Sequence, residues 1–127
     1  MPDTDEQILD PGFLGKALEI DDWDILADFY ATFLQQLQPL LLLIQSHRES
    51  LSVAELHHQA HKMGSSCRTV GASPLAKLFE NLENLCRENA AATEREHVLE
   101  QILSLGQDTA KAVENHMKLC DKQCASR

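Results

Sequence analysis

The segment from Val53 to Val70 holds the residues best suited to chemistry. Val53, Leu56, Ala60, Met63, Cys67 and Val70 recur at alternating steps of three and four, the period of one buried helix face. At about 100° per residue, His61 then lies roughly 130° from the centre of that stripe and is expected to be exposed. His57, Gly64, Ser65 and Arg68 fall on its side. An exposed imidazole is followed one turn on by two small residues, and one turn further by a cation. Imidazole is nucleophilic near neutral pH, because its unperturbed pKa is about 6.5. Such a His can attack an acyl phosphate brought to it, and the product can be attacked in turn. Gly64 costs a helix about 1 kcal/mol relative to Ala, so its presence implies that something approaches the backbone closely.

Other polar groups read more plainly. His57 and His61 stand at i,i+4, a spacing that can bind a metal. Only His58 lies nearby, and no third ligand is placed by the sequence. His116, Cys120 and Cys124 recur at i,i+4,i+8, which reads as one helix face and its tail rather than a ligand set. His47 and His97 sit near helix ends and are expected to be solvated. There is no P-loop, no kinase-like Gly-rich loop and no Asp cluster for Mg2+. The chain is therefore expected neither to bind ATP nor to phosphorylate itself.

The elements that position these residues are helical almost throughout. Asp10-Pro11 reads as a cap followed by a first-turn Pro, opening a short helix to about Glu19. Asp21, Asp22 and Asp24 suit the start of a second helix, whose dipole favours negative charge there. Its apolar stripe is Ile25, Leu26, Phe29, Phe33, Leu37, Leu40 and Leu41, it continues to about Arg48, and Pro39 is expected to kink it. Ser52-Val53-Ala54-Glu55 is a capping box for the third helix, which ends near Val70-Gly71. Ser73-Pro74 opens a fourth helix, with Ser73 as its cap and Pro74 in its first turn, and its stripe is Leu75, Leu78, Phe79, Leu82 and Leu85. Thr93-Glu94-Arg95-Glu96 reads as another capping box. The last helix carries Val98, Ile102, Leu105, Val113, Met117 and Cys120, with Thr109 the one polar residue in the stripe. Short connections favour antiparallel neighbours, hence an all-α antiparallel four-helix bundle with a short N-terminal helix.

Bulk composition sets the outer limits. A chain of 127 residues and 14.2 kDa supports one core and not two. Aromatics are 5%, so the core rests on Leu, Ala, Ile and Val. The formal charge of −9 repels nucleic acid and anionic membrane surfaces. No apolar run reaches the length of a membrane span, and Met1–Glu6 lacks the features of a signal peptide. A cytoplasmic location follows, in which Cys67, Cys86, Cys120 and Cys124 are free thiols packed mostly as small hydrophobes.

The run Ala60-His61-Lys62-Met63-Gly64-Ser65-Ser66-Cys67-Arg68-Thr69-Val70-Gly71-Ala72 resembles the signature of histidine-containing phosphotransfer (HPt) domains, in outline A-H-x-L-K-G-S-S-x-x-(V/L/I)-G-A. The resemblance extends from Ile8 into the last helix. It implies that His61 is phosphorylated by an aspartyl phosphate and passes the group to another Asp. Two positions depart. The family's usual Lys is Gly64 here, and its usual Gly is Ser65. The cation beside the phosphoryl group is thereby lost, and Lys62, Arg68 or Arg87 could substitute. If the third and fourth helices fold back about Ala72, His61 lies level with Glu83, with Arg87 about one turn beyond. Glu83 is then a candidate to orient the imidazole.

The resulting expectation is a stand-alone, monomeric HPt domain over residues 1–127, with residues 1–8 and 122–127 as flexible ends. It is not an enzyme but a phosphocarrier between receiver domains of a hybrid sensor kinase and a response regulator. It has no cofactor of its own, and the receiver supplies Mg2+. The receiver contacts His57, His61, Gly64, Ser65 and Arg68, with Lys62 and Arg87 at the rim. A non-phosphorylated adaptor that binds receivers, and a metal-binding helical bundle, are the alternatives.

Overall fold

Local capping and long apolar stripes set the helices of this computed structural model, which describes residues 8–125. The helices are α1 (Phe13–Leu18), α2 (Trp23–His47), α3 (Val53–Val70), α4 (Ser73–Arg87) and α5 (Ala92–Ala125), with a 3-10 turn at Arg48–Ser50. α3 packs chiefly on α4, α4 on α5, α5 on α2 and α2 on α3, which closes a four-helix ring, while α1 rests against α3. The expected bundle is present. Residue pairings fix α2 and α5 as antiparallel: Gln38 meets Glu114 while Arg48 meets Glu96. The expectation of flexible ends falls mostly on residues outside the described ones, although residues 122–125 continue α5. The side chain of Cys124 also lies outside them.

The capping box at Ser52 is formed in both directions. Glu55 N donates to Ser52 Oγ at 3.1 Å, and Ser52 N donates to Glu55 Oε1 at 2.9 Å. α3 ends at Gly71, whose φ is 87°. A Cβ there would stand 2.8 Å from both Asp10 O and Phe13 Cβ. Gly71 is thus required twice, by its left-handed backbone and by the chain packed on it. Its carbonyl accepts from Asp10 N at 2.9 Å, tying the segment before α1 to the α3–α4 corner.

Several local expectations are corrected. α1 starts at Phe13 rather than at Pro11, because Asp10 first closes a turn in which its Oδ1 accepts from Gly12 N. Ile25 and Phe29 are not core residues, being 44% and 40% exposed. Instead the buried face of α2 runs through Tyr30, Phe33, Leu37, Leu40, Leu41 and Ile44. Tyr30 takes the place assigned to Phe29, and its hydroxyl donates to Pro11 O at 3.3 Å. Ser73 is the first residue of α4 and not its cap. Ala72 holds the cap position, because Ala72 N already closes α3 by donating to Cys67 O.

Thr93 caps nothing either, since α5 begins at Ala92 and Arg95 N donates to Ala91 O. Glu96 is therefore free for Arg48. That guanidinium reaches Glu96 at 2.8 Å and Glu100 at 2.7 Å, clamping the end of α2 to α5. Thr109 is fully buried, and its hydroxyl donates to Leu105 O at 2.7 Å, and among the described residues no buried side-chain N or O atom lacks a partner.

Candidate functional site

His61 sits mid-way along α3 on the face turned from the core, and its side chain is 66% exposed. Across the α3–α4 groove its Nδ1 lies 2.9 Å from Glu83 Oε2. A carboxylate only accepts, so this contact requires the proton on Nδ1. In the neutral ring Nε2 then keeps its lone pair. Glu83 is only 14% exposed. Its Oε2 also lies 3.4 Å from Arg87 Nη2 and 3.9 Å from His57 Nε2. Arg87 Nη1 donates to Asn84 Oδ1 at 2.8 Å. The Arg87 guanidinium is thus held along α4 by Glu83 and Asn84.

Gly64 differs from its sequence reading. It is buried rather than part of the open patch. A Cβ at Gly64 would lie 3.5 Å from Phe79 Cβ and 3.8 and 3.9 Å from Arg68 Nη1 and Nη2. The close neighbours are therefore α4 and the Arg68 guanidinium, which lies over residue 64. Position 64 is turned roughly 60° from His61, towards α4, which carries it under the rim of the groove.

Ser65, Arg68 and Lys62 are exposed. Lys62 lies on the flank of α3 nearer α2. One turn on from it, Ser66 Oγ donates to Gln36 Oε1 of α2 at 3.2 Å. Beyond this contact, Asp28, Phe29, Thr32 and Gln36 of α2 face Ser66, Thr69 and Val70 of α3 across a shallow groove of about 330 Å³. The face around His61 is thus bounded by a carboxylate and an amide on α4 and by a partly apolar groove on α2. Behind it, Cys67 is fully buried, and burial pushes its thiol up to about 12, so it is chemically inert.

The structure brings together His61, Glu83, His57 and Arg87, places Arg68 over Gly64, and leaves Lys62 apart. Asn84 and Gln36 were not singled out in the sequence. Asn84 is detectable as the residue three before Arg87, but no local pattern marks Gln36. Among the described residues no three His, Cys, Asp or Glu side chains converge to hold a metal. No described helix is long and apolar enough to cross a membrane.

An antiparallel helical bundle that presents an accessible imidazole nitrogen from mid-helix, braced by a carboxylate on the neighbouring helix, suits a phosphocarrier. Residues 28–118 match the family model described as the Hpt domain, a span that includes His61, Glu83 and nearly all of the four-helix ring. This chain belongs to the Hpt domain family. No curated protein and no solved structure matches it. Membership assigns it to phosphotransfer in two-component signalling, among proteins that interact with receiver domains.

Proposed function

We propose that His61 carries a phosphoryl group between aspartates of receiver domains, one in a hybrid sensor kinase and one in a response regulator. The observation that carries this reading is the Nδ1–Glu83 contact at 2.9 Å on an otherwise open ring. The Nε2 lone pair attacks phosphorus of an aspartyl phosphate. The N–P bond forms as the P–O bond to the aspartate breaks, and the carboxylate leaves with that electron pair. The proton on Nδ1 stays against Glu83, which balances the positive charge developing on the ring. The second aspartate reverses these steps. The charge of the transferred group is neutralised mainly by Mg2+ and a cation from the receiver, and this chain contributes no cofactor. α3 suits such a partner, because it carries Lys62 and Arg68 against Glu55 alone in a chain of −9.

Incubation with a radiolabelled phosphorylated receiver tests this. Label should appear in the wild type and vanish in His61→Gln, with helix content unchanged. Label retained in His61→Gln, or lost in folded His57→Gln or His58→Gln, overturns the assignment. Receiver binding by the wild type without any labelling would make it an adaptor instead.

A further inference from the structure

We infer that Arg68 is the residue of this chain that contacts the phosphoryl group on His61, an inference that rests on the proposed role of His61. A phosphoryl group on Nε2 adds negative charge beside Glu83, whose carboxylate is already 2.9 Å from the same ring. A cation of the chain is needed to offset that repulsion while the partner is absent. Three cations surround the site, and their geometry separates them. Arg87 is engaged by Glu83 and Asn84. Lys62 is turned about 100° from His61 towards α2.

Arg68 lies seven residues after His61, and two helical turns bring it back to within about 20° of the same line. Long helix side chains lean towards the N-terminus, here towards His61. The guanidinium follows that direction. Both its terminal nitrogens lie over residue 64, 3.8 and 3.9 Å from where a Cβ would stand. Residue 64 is only one turn from His61. A side chain at 64 would occupy this shelf, and Gly64 leaves it to Arg68. Among the described residues no carboxylate pairs with Arg68, so its five N–H donors remain available for phosphoryl oxygens. Gly64 and Arg68 thus work as a pair, one supplying space and the other charge.

The test uses the full chain, a phosphorylated receiver and phosphoramidate as a small donor that needs no partner. Arg68→Ala should slow transfer from the receiver about tenfold or more, the scale of a lost charge-assisted hydrogen bond. Its affinity for the unphosphorylated receiver should change less than about threefold. The 31P resonance of the phosphohistidine made with phosphoramidate should move in Arg68→Ala and not in Arg87→Ala. Adding Gly64→Lys to Arg68→Ala should restore most of the rate, because a Cβ at 64 meets Phe79 only at 3.5 Å.

Transfer within twofold of wild type together with an unmoved 31P resonance would overturn the role of Arg68 while leaving His61 in place. A loss confined to receiver affinity would overturn it as well, making Arg68 a docking residue. A wild type that takes no label on His61 from either donor would fail the underlying reading instead.

Discussion

Glu83 holds His61 by Nδ1, at 2.9 Å, from a different helix and from a position mostly shielded from water. The tautomer of the exposed ring is therefore set by a group on α4. Replacing Glu83 with Ala should release the ring to exchange its proton between the two nitrogens. Two-bond 15N–1H NMR spectra of the imidazole should show the Nδ1–H form dominant in the wild type and reduced in Glu83→Ala. Transfer should slow about tenfold or more, as expected for a hydrogen bond to a charged group. Unchanged tautomer populations would rule out this role for the carboxylate.

Docking should be blocked from Ser65 rather than from Gly64. Ser65 is exposed and lies one turn from His61, whereas Gly64 is buried beside Phe79. Ser65→Trp should abolish receiver binding in calorimetry while the circular dichroism spectrum and melting temperature stay near wild type. Normal binding by the folded variant would place the partner on another face.

The α3–α4 corner should be intolerant of any side chain at Gly71. An L-residue there is strained at a φ of 87°, and its Cβ would stand 2.8 Å from Asp10 O and Phe13 Cβ. Gly71→Ala should lower the unfolding free energy by about 2–3 kcal/mol, read from the urea midpoint at an unchanged slope. Stability within about 0.5 kcal/mol of wild type would mean that the corner relaxes freely.

Acid should weaken the fold through His116. Its ring packs edge-on against Trp23 and Tyr30, with centroids 5.7 and 5.2 Å away, and the Cys120 sulfur lies 3.7 Å from Nε2. Burial lowers its pKa in the folded state. The unfolded chain then takes up the proton first as pH falls. The contribution is fully present above the unfolded pKa of about 6.5 and is lost as pH falls through the lower folded value. His116→Phe should flatten this part of the stability–pH curve, measured by denaturation at several pH values. Curves that stay parallel would remove His116 as the source.

Much of the site was legible in the sequence because its determinants are local. The stripe of α3, its capping box and its Gly71 exit are all set within a few residues, and together they placed His61 outward. Folding α3 back on α4 put it level with Glu83. Gly64 was misread for a tertiary reason. It stands at the edge of the stripe, and only the position of α4 decides whether that edge is open or covered. Tyr30 was missed on similar grounds. Phe29 and Tyr30 are adjacent, and the choice between them depends on how the first turns of α2 meet α5 and the segment before α1. Thr93 shows the opposite limit. Its capping pattern is sound locally, but the helix starts before it and Glu96 is drawn to Arg48, a residue 48 positions away.

The contact between His61 and Glu83 spans only 22 residues of chain, whereas Gln38 and Glu114, which join α2 to α5, are 76 apart. Loop closure grows with the logarithm of length, so the longer connection costs about 1 kcal/mol more in chain entropy. Sequence-local contacts are also those that form fastest. The α3–α4 hairpin can therefore bring imidazole and carboxylate together early, before the long-range pairing of α2 with α5 completes the ring. Substitutions that loosen α2 against α5 should then appear mainly as faster unfolding, while those in the α3–α4 hairpin should slow folding itself.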